Sequence, residues 1–218
     1  MPRISSRAIA RHLVQTRGRL FSEELGIDLA ADTPEALFCW LVAALLFSAR
    51  VSADIALAAA AALIEQGWTT PEKMAGAGWE ARTRALNRSG YARYDESTSR
   101  MLGDTCALTV ARYGGDLRML RESAGRDPEE ERRLLKQFKG IGDVGADIFC
   151  REAQVSWDEL YPFADARALT AARALGLGET ARELATLVSK EAFARLAAAL
   201  VRTARAKDFA AVREAAAR

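Results

Sequence analysis

The sequence predicts an all-α protein, and three observations support this fold class. Alanine is abundant while proline is rare, and aromatic residues make up only 7% of the chain. No stretch shows the alternating Val, Ile and Thr pattern of several successive strands. Apolar residues instead recur at helical spacing, and half of the 218 residues are apolar. The chain is therefore long enough to bury a sizeable helical core.

The first elements are predicted from helix start signals. Ser5 or Ser6 can cap a helix that runs to about Val14, and 17–31 is typical of a connection with a short helical turn. Thr33-Pro34 is a sharp start, because Thr accepts from first-turn N–H groups and Pro fits the first helical position. The helix that follows, 35–49, is apolar almost all round and includes Trp40, which is typical of the middle of a bundle.

Caps and glycines divide the rest of the chain into helices. Ser52 and Asp127 stand before helical segments, Thr70-Pro71 is a second Thr-Pro start, and Gly67 and Gly114 follow helical segments. The segment 157–163 is predicted to be a connection. The predicted helices after residue 50 are 53–66, a short one after Thr70-Pro71, 79–87, 95–113, 116–122, 129–138, 165–175, 179–189, 191–204 and 208–216.

A glycine-rich segment between two helical patterns predicts a tight helical hairpin. Residues 138–148 read Phe-Lys-Gly-Ile-Gly-Asp-Val-Gly-Ala-Asp-Ile. Gly140 and Gly142 can adopt backbone angles that other residues avoid, and they leave no side chain over the turn. An outside group could then touch the backbone itself. Unpaired N–H groups at a helix start suit a phosphate oxygen, because the helix dipole adds partial positive charge.

The pattern Leu-Lys-x-Phe-Lys-Gly-Ile-Gly-x-x-x-Ala resembles the helix-hairpin-helix of the DNA glycosylase superfamily that includes endonuclease III and the alkyladenine glycosylases. The end of the apolar helix, the loop at 89–93 and the turn at 114–116 are similar to further family segments, so the resemblance extends over 33–177. It implies a bilobal fold with a DNA groove. The central lobe would be 33–150, with the helix-hairpin-helix at 129–154, and 1–32 with 151–218 would form the second lobe.

Asp165 lies 23 residues after Gly142, in a segment that resembles the family's catalytic segment, where an Asp opens a helix. The spacing is closer to the alkyladenine branch. The resemblance implies a carboxylate that stabilises positive charge on the deoxyribose and orients or deprotonates water. Asp is also a common helix N-cap, so a structural role is the alternative, and the two roles are compatible.

The resemblance also assigns DNA contacts to the hairpin. It allows a monovalent cation, Na⁺ or K⁺, to be coordinated by the carbonyl groups of the hairpin. The hairpin residues implied in DNA binding are Lys139, Gly140, Ile141, Gly142, Val144 and Gly145. Val144 stands where the family's bifunctional members carry the Lys that forms a Schiff base, so no lyase activity is expected. Lys139 could instead be an ordinary solvated Lys.

Two further residues are implied in DNA contact outside the hairpin. Arg50 stands where relatives place a Gln that fills the gap left by an extruded base, and Tyr91 stands in the loop whose side chain enters the base stack. The alternatives are a surface cation near a helix C-terminus for Arg50 and a Tyr packed on its own helix for Tyr91.

Several features depart from the family pattern. Asp143 puts an acid at the hairpin tip, and Arg167 replaces the His of the endonuclease III branch. The C-terminal cysteine cluster is absent, and the three cysteines lie far apart with a single His, so neither an iron–sulfur cluster nor any other cofactor is expected. The net charge of +2 does not by itself indicate a polyanion partner.

Together these features predict a monofunctional glycosylase of base excision repair that hydrolyses the N-glycosidic bond of a damaged base in duplex DNA. The alternative is a catalytically inactive protein that binds distorted or damaged DNA, and a third interpretation is a helical protein-interaction domain. We expect a cytoplasmic monomer, nucleoid-associated in a prokaryote, because no targeting pattern is present and the apolar runs 36–49 and 55–64 are shorter than the roughly 20 residues of a membrane span. The damaged base is not revealed.

Overall fold

The computed structural model describes residues 5–216, and that part of the chain is built from α-helices and short 3₁₀ turns without any strand. The prediction of an all-α protein is confirmed. Among these residues, no helix combines the length and apolar character needed to cross a membrane.

The first seven helices are α1 (Ser6–Arg17), α2 (Phe21–Glu24), α3 (Pro34–Ser48), α4 (Ala53–Glu65), α5 (Pro71–Gly76), α6 (Gly78–Arg88) and α7 (Asp95–Tyr113). The next seven are α8 (Arg118–Ser123), α9 (Pro128–Leu135), α10 (Asp143–Ala153), α11 (Ala166–Leu175), α12 (Ala181–Ala185), α13 (Lys190–Ala206) and α14 (Phe209–Ala215). Short 3₁₀ turns occupy Leu29–Ala31 and Asp158–Leu160.

The predicted helix caps form the bonds expected of them. Ser5 and Thr33 each accept a bond at 3.2 Å, from the N–H of Ala8 and of Ala36. Ser52, Thr70 and Asp127 cap α4, α5 and α9 in the same way. These bonds join residues two or three positions apart, which is why the local sequence predicts helix starts well.

Helix ends differ more from the prediction. The helix before the hairpin ends at Leu135 rather than 138, because the chain tightens into turns in which Phe138 N donates to Leu135 O at 3.1 Å. The helix predicted over 179–189 is only α12. The segment 17–31 contains the short helix α2 as well as a 3₁₀ turn.

One compact unit spans 25–149 and has α3 at its centre. Trp40 is fully buried, and its indole Nε1 donates to Phe149 O at 3.1 Å. This bond satisfies the one polar group of the ring, so α3 can carry a Trp in its apolar core. The prediction that Trp40 belongs to the core is confirmed.

The other compact unit combines the chain up to Glu24 with the chain from Cys150 onward, and α1, α11, α13 and α14 pack together in it. Glu152 is fully buried and accepts from Phe21 N at 2.9 Å and Ser22 N at 2.8 Å. Burial raises the pKa of Glu152. The boundary at 149/150 falls within α10. Assignment of these units to the lobes of a DNA groove stays a prediction.

Candidate functional site

The glycine-rich segment forms the predicted hairpin between α9 and α10. Ile141 N donates to Phe138 O at 2.9 Å, and Gly140 has φ +92°. The first N–H group after the turn that donates to a backbone carbonyl is that of Ala146, and its acceptor is Gly142 O at 3.0 Å. The N–H groups of Asp143, Val144 and Gly145 lie in the first turn of α10, where the helix provides no carbonyl to accept from them. The hairpin therefore ends in a set of available backbone donors.

The three glycines of the hairpin have different surroundings. A Cβ at Gly140 would lie 2.7 Å from Met101 Sδ and 3.5 Å from Leu45 Cγ. A Cβ at Gly145 would lie 3.2 Å from Ile141 Cδ1. A Cβ at Gly142 would have no atom within 4 Å. Gly140 is thus favoured by its left-handed backbone and by crowding from Met101, Gly145 fits tightly against Ile141, and Gly142 leaves the turn open on its outer side.

The hairpin is fixed to the end of α3. Ser48 Oγ lies 2.7 Å from Leu45 O and 3.2 Å from Gly140 O, so its hydroxyl can donate to either carbonyl. The Ile141 side chain is buried beneath the turn, so only its backbone could contact a ligand. The hairpin carbonyls of Phe138 and Gly142 accept backbone hydrogen bonds, and a cation at the hairpin carbonyls stays a prediction.

Both lysines of the hairpin region are paired with carboxylates. Lys136 Nζ lies 2.9 Å from Asp143 Oδ1, and Lys139 Nζ lies 3.1 Å from Asp104 Oδ2. The Lys136 ammonium lowers the pKa of Asp143, so this carboxylate carries its charge at neutral pH. The four side chains are largely exposed, so these ion pairs can exchange partners readily.

The other predicted DNA contacts have contrasting environments. Val144 is 58% exposed at the start of α10. Arg50 is exposed and lies two residues after the end of α3. Tyr91 is only 1% exposed, and its hydroxyl lies 3.5 Å from Leu46 O. A ring packed in the core is not available to enter a base stack, so the wedge assignment for Tyr91 does not fit the structure and its alternative, a packing role, does.

Asp165 is the N-cap of α11, and its carboxylate has a protein partner on each oxygen. Oδ1 accepts from Ala168 N at 2.9 Å, and Oδ2 accepts from Arg151 Nη1. The two side chains are 8% and 6% exposed, respectively. The structural role that the sequence allowed for Asp165 is thus confirmed, and the catalytic role stays a prediction.

The segment before Asp165 is held by Gln154, a residue that no sequence motif indicates. Gln154 Nε2 donates to Arg151 O at 2.6 Å and to Phe163 O at 2.9 Å, while its Oε1 accepts from Phe163 N at 3.0 Å. Arg151 and Gln154 are both buried. Arg151 lies in the last turn of α10 and Gln154 directly follows that helix, but nothing in the local sequence shows which partners they meet.

The cysteines are buried thiols without disulfide partners among the described residues. They are Cys39, Cys106 and Cys150. Burial raises the pKa of Cys39 to about 12 and the pKa of Cys106 to about 11. Thiols of this kind are poor nucleophiles at neutral pH. Within 5–216, no group of three or more His, Cys, Asp or Glu residues is arranged to hold a metal ion.

An open groove of about 560 Å³ lies between α4 and α6. Alanines of both helices form much of its lining, and Trp68, Arg84 and Arg88 contribute larger side chains. None of the predicted site residues lines this groove.

Comparisons with known proteins assign no family to the chain. No family model matches it, and no curated protein matches it. Among solved structures, it is similar to a trapped endonuclease III–DNA covalent intermediate, an estranged-adenine complex, with 17% sequence identity and a TM-score of 0.48. The alignment covers 75% of this chain and 71% of that one. A likeness of this degree establishes neither a family nor an activity.

The difference between Gly140 and Gly142 predicts opposite tolerance to a methyl group. Gly140→Ala should lower the free energy of unfolding by about 1–3 kcal/mol, because it forces a left-handed backbone on Ala and crowds Met101. Gly142→Ala is the matched control and should stay within about 0.5 kcal/mol of wild type. Denaturant unfolding followed by circular dichroism measures both. Equal destabilisation of the two variants would contradict this account of the hairpin.

Proposed function

We propose that this chain is a DNA glycosylase-like repair protein that binds duplex DNA through its hairpin and hydrolyses the N-glycosidic bond of a damaged base. The observation that carries the proposal is the hairpin itself. Its outer side is open at Gly142, and the donors of the first turn of α10 follow immediately. The resemblance of the surrounding motifs to the helix-hairpin-helix glycosylases directs this anion site toward DNA phosphate.

The geometry of a helix start supports phosphate binding at this position. An oxygen can approach the N–H groups closely where no Cβ intervenes, and the helix dipole favours the negative charge. Lys139 can exchange Asp104 for the phosphate, because both side chains are exposed. Such contacts position a protein on the DNA backbone without reading sequence, as suits an enzyme that must find a lesion in any context.

Asp165 supplies the chemistry in this proposal. Its two protein partners use two of about four acceptor positions of a carboxylate, so it keeps the capacity to accept a hydrogen bond from a water molecule. The C1′–N bond breaks with its electron pair going to the base, and the carboxylate stabilises the positive sugar. Water then adds to C1′ and gives its proton to the Asp165 carboxylate, so an abasic site remains in an intact strand.

The proposed reaction stops at the abasic site because of Val144. Its exposed apolar side chain has no amine to attack C1′. No imine can therefore form from this position, and strand cleavage through a Schiff base is not expected.

A second function is favoured by one specific observation. The positive Arg151 lies directly on Asp165, and this weakens the attraction of the carboxylate for a positive sugar. A protein that binds distorted or damaged DNA without cleaving it would keep the hairpin and use Asp165 only as a cap. The two functions differ in whether loss of the Asp165 charge matters for base release.

Base release under single-turnover conditions tests the proposal. A panel of duplexes with one lesion each is incubated with excess protein and then treated with alkali to reveal abasic sites. Asp165→Asn should lower the rate constant about 100- to 1000-fold, because it removes the stabilising charge, while Asn still caps the helix. Asp158→Asn is the matched control, since Asp158 belongs to the same unit and its partner is the exposed Lys190 at 2.7 Å.

Two results of this experiment would contradict the proposed enzyme. The first is an absence of release from every duplex by the wild type, combined with binding to abasic or bent DNA that is unchanged in Asp165→Asn. That result would establish the binding protein instead. The second is strand cleavage by the wild type before alkali, which would contradict a monofunctional enzyme.

Substitutions at the hairpin tip should change DNA affinity in opposite directions. Gly142→Ala should weaken binding to a lesion-containing duplex about tenfold, because its methyl group stands where the phosphate approaches. Asp143→Asn should strengthen binding several-fold, because it removes a negative charge beside that phosphate. Fluorescence anisotropy at 50 mM and 200 mM salt measures both effects, and the gain in Asp143→Asn should shrink at the higher salt. Unchanged affinity in Gly142→Ala would exclude the hairpin as the contact.

A further inference from the structure

We propose that Arg151 is the positioning residue of the reaction: it holds the Asp165 carboxylate in the orientation that hydrolysis requires. This inference rests on the proposed function, and it adds a residue that no motif indicates. Arg151 lies 14 positions before Asp165 in the chain, in the last turn of α10.

The ion pair is buried and held on several sides. Arg151 Nη1 donates to Asp165 Oδ2, and both side chains are more than nine-tenths buried. The guanidinium carbon lies 5.6 Å from the centroid of the Phe21 ring, within the range of a cation–π contact. The direction from which Arg151 reaches the carboxylate is therefore restricted.

Gln154 links the two partners through the backbone. It donates to the carbonyl of Arg151 and makes a pair of bonds with Phe163, two residues before Asp165. The segment that leads into α11 is thereby fixed to the end of α10. Asp165 itself is held by Ala168 N on one oxygen and by Arg151 on the other.

Helix capping alone does not account for Arg151. Asp127 caps α9 through two backbone N–H groups, with no cation on its carboxylate among the described residues. Thr33, Ser52 and Thr70 cap their helices without any charge. A buried ion pair contributes little to stability compared with apolar residues of the same volume, since both charges lose their water. A requirement for one carboxylate orientation explains the pair better than capping does.

Arg151 has two opposite effects on the proposed reaction: it orients Asp165, and it weakens the electrostatic effect of that carboxylate. Whether the rate falls or rises in an Arg151 variant shows which effect dominates. Arg151 weakens the field of Asp165 at a positive sugar, so its removal could in principle speed the reaction. Its removal also frees the carboxylate to rotate away from the reacting water. Misplacement by even 1 Å lowers rates strongly, so we expect the orientation effect to dominate.

The test compares Arg151→Met with Arg202→Met in single-turnover base release from the lesion that the wild type processes. Arg202 is a matched control, because its guanidinium carbon lies 3.9 Å from the same Phe21 ring and its ion pair is with Glu24 rather than Asp165. Arg151→Met should lower the rate constant at saturating protein about 10- to 100-fold, the usual effect of removing a partner that orients a reactive group. The half-saturating protein concentration should stay within about twofold, because no DNA contact is lost. Arg202→Met should match the wild type in both quantities, and Arg151→Lys, which keeps a charged donor, should recover part of the rate.

Several outcomes would overturn this inference. A rate in Arg151→Met at or above that of the wild type would show that orientation does not limit the reaction. An equal loss of rate in Arg202→Met would show a structural role. A change confined to the half-saturating protein concentration would show a DNA-binding role. If Arg151→Met does not fold by circular dichroism, Arg151→Gln takes its place with the same expected loss. If Asp165→Asn is inactive while the Arg151 variants keep the wild-type rate, this inference is wrong and the proposed function stands. If the wild type is inactive, the proposed function is overturned as well.

Discussion

The hairpin depends on a steric constraint at Gly140. Its backbone has a positive φ, which residues with a side chain rarely adopt, and an added Cβ would crowd the Met101 side chain. This constraint turns the chain sharply after α9, and the Ser48 hydroxyl at the end of α3 lies within hydrogen-bonding distance of the Gly140 carbonyl. The amides of the first turn of α10 consequently remain available. A set of available backbone donors thus results from packing within the unit that spans 25–149.

Under the proposed function, the charges around this hairpin would give a DNA contact of moderate strength. Lys136 and Lys139 are each paired with a carboxylate, and the chain carries a net charge of only +2. Most of the attraction for a phosphate would therefore come from backbone donors and the helix dipole, which act over short distances. Weak long-range attraction combined with a specific local contact suits a protein that must leave undamaged DNA quickly.

Local chemistry explains which features the sequence could predict. The caps at Thr33, Asp127 and Asp165 depend on bonds within three residues, and the hairpin depends on glycines that are adjacent in sequence. Burial of Tyr91 and the partner of Arg151 depend instead on which elements pack together, and no local pattern encodes that. The loop pattern around Tyr91 therefore predicts a DNA contact although the side chain lies in the core. No local pattern indicates Arg151, which contacts the most important carboxylate of the proposed site.

In the proposed function, the start of α10 lies beside the sugar of the damaged nucleotide when DNA is bound. The most direct measurement is borohydride trapping of Val144→Lys on a duplex with one abasic site. An amine at this exposed position should attack C1′ of the open-chain sugar, lose water to form an imine, and yield a covalent complex on reduction. We expect this adduct for Val144→Lys. We expect no adduct for the wild type or for Val144→Leu. Absence of the adduct in a Val144→Lys protein that binds the duplex with wild-type affinity would contradict the account.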